Sequence, residues 1–297
     1  MVNVVVLGTT ASLPTKDAVP SCFAVKHGGN FLFDCCEGVQ RQCMKFGVSV
    51  MRIEAVFISH LHADHFLGLF GLLQSLNLMR RMSPMLVVGP KGTEAFFKAI
   101  LALKPLAVGY PVVFKEAGGR ATTVFENKLF KITAFPVKHT PGALGYSFEC
   151  HSYRRFDEAK ARAAGVHGRL FSELQEKGSL KVDGKTVKFA GVSYLQAGKK
   201  IVYSGDTAAC ASLARAAKGA DLLVHEATFA AGEARLAKEK LHSTTLQAAA
   251  VAAKAKCKKL LLTHFSNRYA DKSLLLAEAQ AAFPNTVIAV EGLELEV

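Results

Sequence analysis

Tryptophan is absent from the 297 residues, so no indole is available to stack on an unpaired base. No CxxC pair occurs among the seven cysteines, which removes the usual sequence sign of a cysteine zinc site. Cys35 and Cys36 are adjacent and the others are scattered, without the pattern of a disulfide framework. Buried, reduced thiols are the expectation. The apolar runs are too short or too interrupted to span a bilayer. The opening, Met1-Val2-Asn3-Val4-Val5-Val6-Leu7-Gly8, reads as a strand and lacks the basic start and cleavage site of a signal peptide. These absences point to a soluble, cytoplasmic protein with no membrane attachment.

Acidic side chains are also scarce. There are 24 Asp and Glu against 37 Lys and Arg, a formal net charge of +13. An excess of this size suggests a polyanionic partner, and nucleic acid is the commonest. Arg154, Arg155, Lys160, Arg162 and Arg169 cluster in one stretch, and Lys254, Lys256, Lys258 and Lys259 crowd the end of a helix. The second group also suits a helix C-terminus, whose dipole favours cations. Half of the chain is hydrophobic, enough for a sizeable core in one large domain or two small ones.

The densest chemistry lies in Ser59 to Leu69, SHLHADHFLGL. Residues two apart in an extended segment point the same way, so His60 and His62 can grip one ion from a strand end. The chain then turns, because Phe66 to Leu78 has the length and apolar density of a buried helix. At that turn Asp64 and His65 point to a neighbouring position. Imidazoles and a carboxylate at this spacing suit zinc or a similar divalent ion.

Other strand ends carry matching groups. His139 follows the strand-like Phe130 to Phe135 and is a candidate third ligand for the first ion. Lys200 to Tyr203 runs into Ser204-Gly205-Asp206, where the glycine lets a carboxylate approach closely and bridge two cations. Asp34, at another strand end, either supports the metal histidines or caps the next helix. Residues 151–190 break the strand-rich rhythm with a polar, basic, partly helical stretch that contains a hairpin-like Asp183-Gly184. Two strand-rich halves with helices between and after suggest two sheets with helices outside.

The motif HxHxDH resembles the signature of the metallo-beta-lactamase superfamily of binuclear metallohydrolases, and SHLHADHFLGL is similar to that of ribonuclease Z, which trims the 3′ trailer from precursor tRNA. Asp34 to Gln42 resembles the family segment DCGEGTQRQ, with Cys36 and Val39 in place of glycine and threonine. His225 to Phe229 (HEATF), Leu241 to Thr244 (LHST) and Thr263 to Tyr269 (THFSNRY) extend the likeness. Two places depart. Relatives often carry an Arg-Asn pair after Pro14-Thr15, where this chain has Lys16-Asp17, and Arg169 stands where proline is usual.

The resemblance implies one α/β domain over 1–297, a four-layer αββα sandwich, with 151–190 as an inserted tRNA-binding arm. It implies two zinc ions per subunit, with manganese or magnesium as possible substitutes. His60, His62 and His139 would hold the first ion, Asp64, His65 and His264 the second, and Asp206 would bridge them. Asp64 would orient the attacking water, His242 would donate a proton to the leaving oxygen, and Glu226 would orient His242. The cut would leave a 3′-hydroxyl on the tRNA and a 5′-phosphate on the trailer. Ser266, Arg268, Arg154, Arg155 and Arg169 are candidate RNA contacts, with a structural salt bridge the other reading of Arg268. The partners implied are precursor tRNA and a second copy in a homodimer. The alternative is a hydrolase of a small phosphodiester or ester on the same fold.

Overall fold

The computed structural model describes residues 2–297. The chain opens with β1 (Asn3–Gly8), β2 (Cys22–His27), β3 (Gly29–Phe33), β4 (Ile53–Phe57), β5 (Met85–Pro90) and β6 (Val112–Ala117). β7 (Thr122–Glu126), β8 (Phe130–Pro136) and β9 (Leu144–Cys150) begin a second sheet. β10 (Tyr153–Phe156), β11 (Ser179–Val182), β12 (Lys185–Lys188) and β13 (Ser193–Gln196) form two small ladders outside both sheets. β14 (Lys200–Tyr203), β15 (Leu222–Glu226), β16 (Leu260–Thr263) and β17 (Thr286–Ile288) complete the second sheet. β18 (Glu294–Glu296) returns to pair with β1.

Each main sheet has seven strands, ordered β18-β1-β2-β3-β4-β5-β6 and β17-β16-β15-β14-β9-β8-β7. In both, four neighbouring strands are parallel (β3 to β6 and β14 to β17) and the rest antiparallel. Parallel strands need crossover connections, and these supply the outer helices. The helices are α1 (Val39–Lys45), α2 (Ala63–Phe66), α3 (Gly68–Leu78), α4 (Thr93–Leu101), α5 (Glu158–Ala163), α6 (Leu170–Lys177), α7 (Ala211–Ala216), α8 (Ala234–Lys240), α9 (Thr245–Ala255) and α10 (Ser273–Ala282). The sheets stack face to face with helices on the outside, which is the αββα sandwich.

Aromatic side chains dominate the layer between the sheets. Phe31, Phe33 and Phe57 of the first sheet meet Phe130, Tyr146 and Phe148 of the second, and Phe130 stacks on Phe148 at 4.3 Å. A separate apolar layer joins the outer face of the first sheet, through Leu32, Val56 and Val87, to Leu69, Leu72 and Leu76 of α3.

Several boundaries differ from the sequence expectation. The helix expected over Phe66 to Leu78 is two helices, because the Cys35 carbonyl accepts the Gly68 N–H at 2.9 Å. A Cβ at position 68 would stand 1.7 Å from the Cys36 carbonyl oxygen, so only glycine allows this approach. The excursion begun at 151 does not end at 190. β10 pairs with β13 from Tyr153↔Gln196 to Phe156↔Ser193, and the body resumes where Cys150 N–H donates to the Lys199 carbonyl. That excursion has its own small core of Ala161, Val166, Leu174, Val182, Val187 and Val192. Asp183 and Gly184 both take positive φ, the two-residue turn that closes β11 on β12.

Candidate metal centre

The candidate groups converge at one edge of the sandwich, where strands of both sheets end. β4 stops at Phe57, and the Ser59 N–H donates to Asp34 Oδ1 at 2.7 Å. This bond fixes the exit of the chain ahead of His60; a bend at Leu61 follows, and His62 is extended as the N-cap of α2. Asp64 and His65 then sit on the first turn of α2. From the other sheet, β14 delivers Asp206 through Gly205, which has φ 58°. A Cβ there would lie 2.7 Å from the Leu144 carbonyl oxygen and 3.0 Å from Ser59 Cβ, so the glycine is what lets the two sheets close at this edge.

Asp206 stands at the centre. Its Oδ2 lies 3.2 Å from His264 Nε2, 3.4 Å from His65 Nε2, 3.8 Å from His60 Nε2 and 4.0 Å from His139 Nε2. Five overlapping sets of candidate ligand atoms lie there: His60, His62 and His139; His60, His65 and Asp206; Asp64, His65 and His264; His139, Asp206 and His242; and Glu226, His242 and His264. Within each set all ligand atoms lie within 4.8 Å of one another. His65 Nε2, His264 Nε2 and Asp206 Oδ1 are buried and have no hydrogen-bond partner. Buried polar atoms are rarely left so, and three around one point fit a divalent cation. The donor set, imidazole nitrogens with carboxylates and no thiolate, suits zinc in paired sites.

The opposite ring nitrogens are tied down. His65 Nδ1 bonds Asp34 Oδ2 at 2.7 Å, His139 Nδ1 bonds the Leu241 carbonyl at 3.1 Å, and His264 Nδ1 bonds Thr228 Oγ1 at 3.0 Å. Each bond fixes the tautomer that presents Nε2 to the centre. Asp34 therefore supports the histidines and is not a helix cap, since α1 has Gly38 at its N-cap and no side-chain cap.

Four of these groups are shifted the way ligation needs; His65 is not, because burial would lower it but Asp206 and Asp34 raise it. Burial opposes ionisation of Asp64, but the adjacent His264 and His65 imidazoles outweigh it and hold the carboxyl well below the usual range. Burial likewise opposes charge on Asp206, and His264 and His65 overcome it. Burial and the neighbouring His65 push His60 down, and burial pushes His139 down, which keeps both imidazoles neutral and able to ligate.

His242 belongs to two of these sets, with His139 and Asp206 and with Glu226 and His264. Its Nδ1 bonds Glu226 Oε1 at 2.8 Å, and its ring centre is 4.7 Å from that of His139. Burial would lower its pKa, but the Glu226 carboxylate raises it to about 9. Glu226 is itself fixed by the Thr207 N–H at 2.8 Å and the Thr228 hydroxyl at 2.6 Å. Arg268 lies over the Phe229 ring at 5.2 Å and pairs with Glu233 at 3.7 Å, while its Nε donates to Ser266.

The arm groups are remote from this centre. Arg154 is spent inside the arm, where it donates to the Ala190 and Ser193 carbonyls and to the Ser193 hydroxyl. Arg155 and Arg169 are exposed. Sequence reasoning did not name Ser59, Thr228, Tyr203, Thr207 or the backbone N–H of Ser12, which donates to Asp64 Oδ2 at 3.0 Å. Ser59 and Thr228 adjoin the histidine motifs, and their hydroxyls were a usable signal.

Comparison with known proteins decides the family. The beta-lactamase superfamily domain matches residues 29–265. Ribonuclease Z of Methanosarcina acetivorans is 38% identical over 302 residues, covering 100% of this chain and 98% of the relative. Ribonuclease Z of Bacillus licheniformis is 38% identical over 301 residues, covering 98% and 97%. The chain belongs to the ribonuclease Z family. The crystal structure of human tRNase Z, short form, superposes with a TM-score of 0.73 at 25% identity, covering 99% of this chain and 98% of that one. As a ribonuclease Z family member, this chain has the metallo-beta-lactamase sandwich and side-chain clusters able to hold a binuclear metal site. No helix among the described residues is long and apolar enough to cross a membrane.

Proposed function

We propose that this chain is a zinc-dependent endoribonuclease that removes the 3′ trailer from precursor tRNA. The observation that carries the reading is the position of Asp206 Oδ2 within 4.0 Å of four histidine Nε2 atoms, in a chain aligned end to end with ribonuclease Z relatives. His60, His62 and His139 would hold one ion, Asp64, His65 and His264 the other, and Asp206 would bridge them. Two zinc ions held there would supply Lewis acidity, to ease deprotonation of water near neutral pH and to offset phosphate charge.

The chain's own residues do the rest. Asp64, held ionised by the Ser12 N–H, His264 and His65, orients the attacking water. Attack on phosphorus breaks the bond to the 3′-oxygen of the tRNA. His242, kept protonated by Glu226, donates its Nε2 hydrogen to that oxygen. The products are a 3′-hydroxyl on the tRNA and a 5′-phosphate on the trailer. Ser266 and the exposed edge of Arg268 are placed to meet a backbone phosphate.

The arm handles the tRNA body through exposed cations such as Arg155 and Arg169. β9 starts beside Ser59 and reaches Cys150, the root of the arm, six residues later. That span is about 20 Å. The arm therefore leaves from the end away from its own metal centre, which supports a homodimer in which the arm of one subunit serves the site of the other.

The test is cleavage of a precursor tRNA with a 3′ trailer, run with zinc or manganese, with a chelator, and with Asp64→Ala. One cut beside the acceptor stem, lost with the chelator and in the variant, supports the reading. Metal-loaded protein that spares the precursor yet hydrolyses a small phosphodiester or ester contradicts it.

A further inference from the structure

The body of the protein carries a second basic surface, next to the arm's root. α7 and α9 end side by side, joined where the Gly219 N–H donates to the Ala255 carbonyl at 2.8 Å. Between these ends lies a groove of about 440 Å³, lined by Arg215, Lys218, Lys254 and Lys256 together with alanine and glycine. All four cations are exposed, and no carboxylate lines the groove. Among the described residues none of the four has an acidic partner within 4.0 Å, whereas the arm cations Lys160, Arg162 and Lys177 each have one.

The helix dipoles do not account for this surplus. Each helix C-terminus carries about half a negative charge, so two ends offset about one cation. The remaining charge sits unneutralised around one concave strip. The strip continues beyond the groove, because Arg215 also lines an adjoining hollow of about 540 Å³ with Arg120, Lys131 and Lys200. Its one carboxylate, Glu149, already faces Lys131 at 3.6 Å and Lys200 at 3.7 Å.

The strip is continuous with the arm. The chain returns from the arm at Lys199, beside Cys150, and enters β14 at Lys200. Lys200 Nζ donates to the Lys218 carbonyl at 3.3 Å, and its backbone carbonyl accepts the Asp221 N–H at 2.8 Å. Asp206 follows the other end of the same strand. The groove thus flanks the arm's root, and the adjoining hollow extends from it along β8 to Pro136.

We propose that the strip built on Arg215, Lys218, Lys254 and Lys256 is an RNA-backbone contact that continues the arm's grip on the tRNA body along the ends of α7 and α9. It deepens, and rests on, the precursor-tRNA reading above. RNA is favoured over other polyanions because the strip is long, concave and joined to the arm, and the apolar part of the groove is alanine and glycine, with no large side chain to enter a lipid surface.

The experiment measures precursor tRNA affinity against salt for the wild type, for Arg215→Ala/Lys218→Ala/Lys254→Ala/Lys256→Ala, and for a control that removes four exposed lysines of the other half, Lys45→Ala/Lys91→Ala/Lys98→Ala/Lys104→Ala. Thermal midpoint and zinc content show that each variant is folded. The strip variant should bind about tenfold or more weakly at 0.1 M salt. Its plot of log affinity against log salt should be shallower by about 3, because each phosphate contact contributes about 0.7–0.9. The control should keep the wild-type slope. On unmodified protein, bound precursor should protect Lys218, Lys254 and Lys256 from acetylation, a readout that does not depend on any variant folding. A wild type that cuts precursor tRNA while the strip variant binds with unchanged affinity and slope, or while the lysines stay unprotected, overturns the strip alone. A wild type that neither binds nor cuts it overturns the strip and the tRNA reading together. Loss of binding to anionic lipid vesicles by the strip variant, with tRNA affinity unchanged, would assign the surface to a membrane and overturn the RNA contact.

Discussion

Tyr203 donates its phenolic hydrogen to Asp34 Oδ2 at 2.6 Å, across the interface between the two sheets. The same oxygen accepts from the Ser59 hydroxyl at 2.9 Å and from His65 Nδ1 at 2.7 Å. One buried carboxylate therefore fixes the end of the first histidine strand and the orientation of a ligand on α2, and a residue of the opposite sheet holds that carboxylate still. Tyr203→Phe removes one of the three donors to this oxygen and nothing else. We expect zinc affinity to fall about tenfold or more, as for other groups that orient metal ligands from behind. Chelator competition measures it, and unchanged affinity would show that Tyr203 only packs.

His242 and Asp64 should separate on metal content. Both are in the proposed mechanism and both lie in candidate ligand sets, but the Nδ1 of His242 is already held by Glu226. His242→Ala is expected to keep both zinc ions and lose about 10²–10⁴ in turnover, the usual contribution of a positioned acid. Asp64→Ala is expected to lose zinc as well. Metal analysis beside kcat distinguishes the two, and a His242 variant depleted of zinc would make it a ligand.

These relationships were unequally legible in the sequence. The histidine motif, the glycine before Asp206 and the strand-end histidines were readable, because each depends on spacing within a few residues. Tyr203 was not, because its partner lies 169 residues away and nothing local marks the contact. The double helix after the motif was missed for a similar reason. Apolar content shows that a segment is buried, whereas the break at Gly68 is set by a carbonyl of Cys35 that only the fold brings near. The arm's boundary slipped past 190 because β13 is a short, half-exposed strand whose assignment rests on its partner β10. β18 was missed too, since three residues carry no periodicity and pair only with the chain's first strand.

The arm's own core gives an independent handle. Leu174 is fully buried against five other small or branched side chains there, and none of them belongs to the cores of the body. Leu174→Ala should destabilise the arm by about 2–5 kcal/mol. The expected signature is protease cleavage within the arm, a raised KM for precursor tRNA and unchanged zinc content. Loss of zinc in this variant would mean that the arm and the body fold as one unit.

Asp221 provides a pH test far from the metal edge. Burial opposes its ionisation, but hydrogen bonds from Lys258 Nζ at 2.7 Å and the Lys200 N–H at 2.8 Å prevail and lower its pKa below the ordinary carboxylate value. A carboxylate with a depressed folded pKa contributes its stability above the unfolded value, about 3.9, and loses it as pH falls through the folded value. Asp221→Asn should therefore cost about 1 kcal/mol or less at pH 7, given the exposed lysine. The gap from wild type should close below pH about 4. Denaturant melts at the two pH values check this, and a gap that widens in acid would reverse the assignment.

The most direct test of the proposed reaction is the chemistry of the new ends, read in one digestion. Precursor tRNA is cut by the zinc-loaded protein in water enriched in oxygen-18, and both fragments are weighed by mass spectrometry. Attack by water on phosphorus, with the 3′-oxygen leaving, predicts one heavy oxygen in a 5′-phosphate on the trailer and an unlabelled 3′-hydroxyl on the tRNA. A trailer with a 5′-hydroxyl and a tRNA ending in a 2′,3′-cyclic phosphate would show that the ribose hydroxyl is the nucleophile, and would contradict the roles assigned to Asp64 and His242.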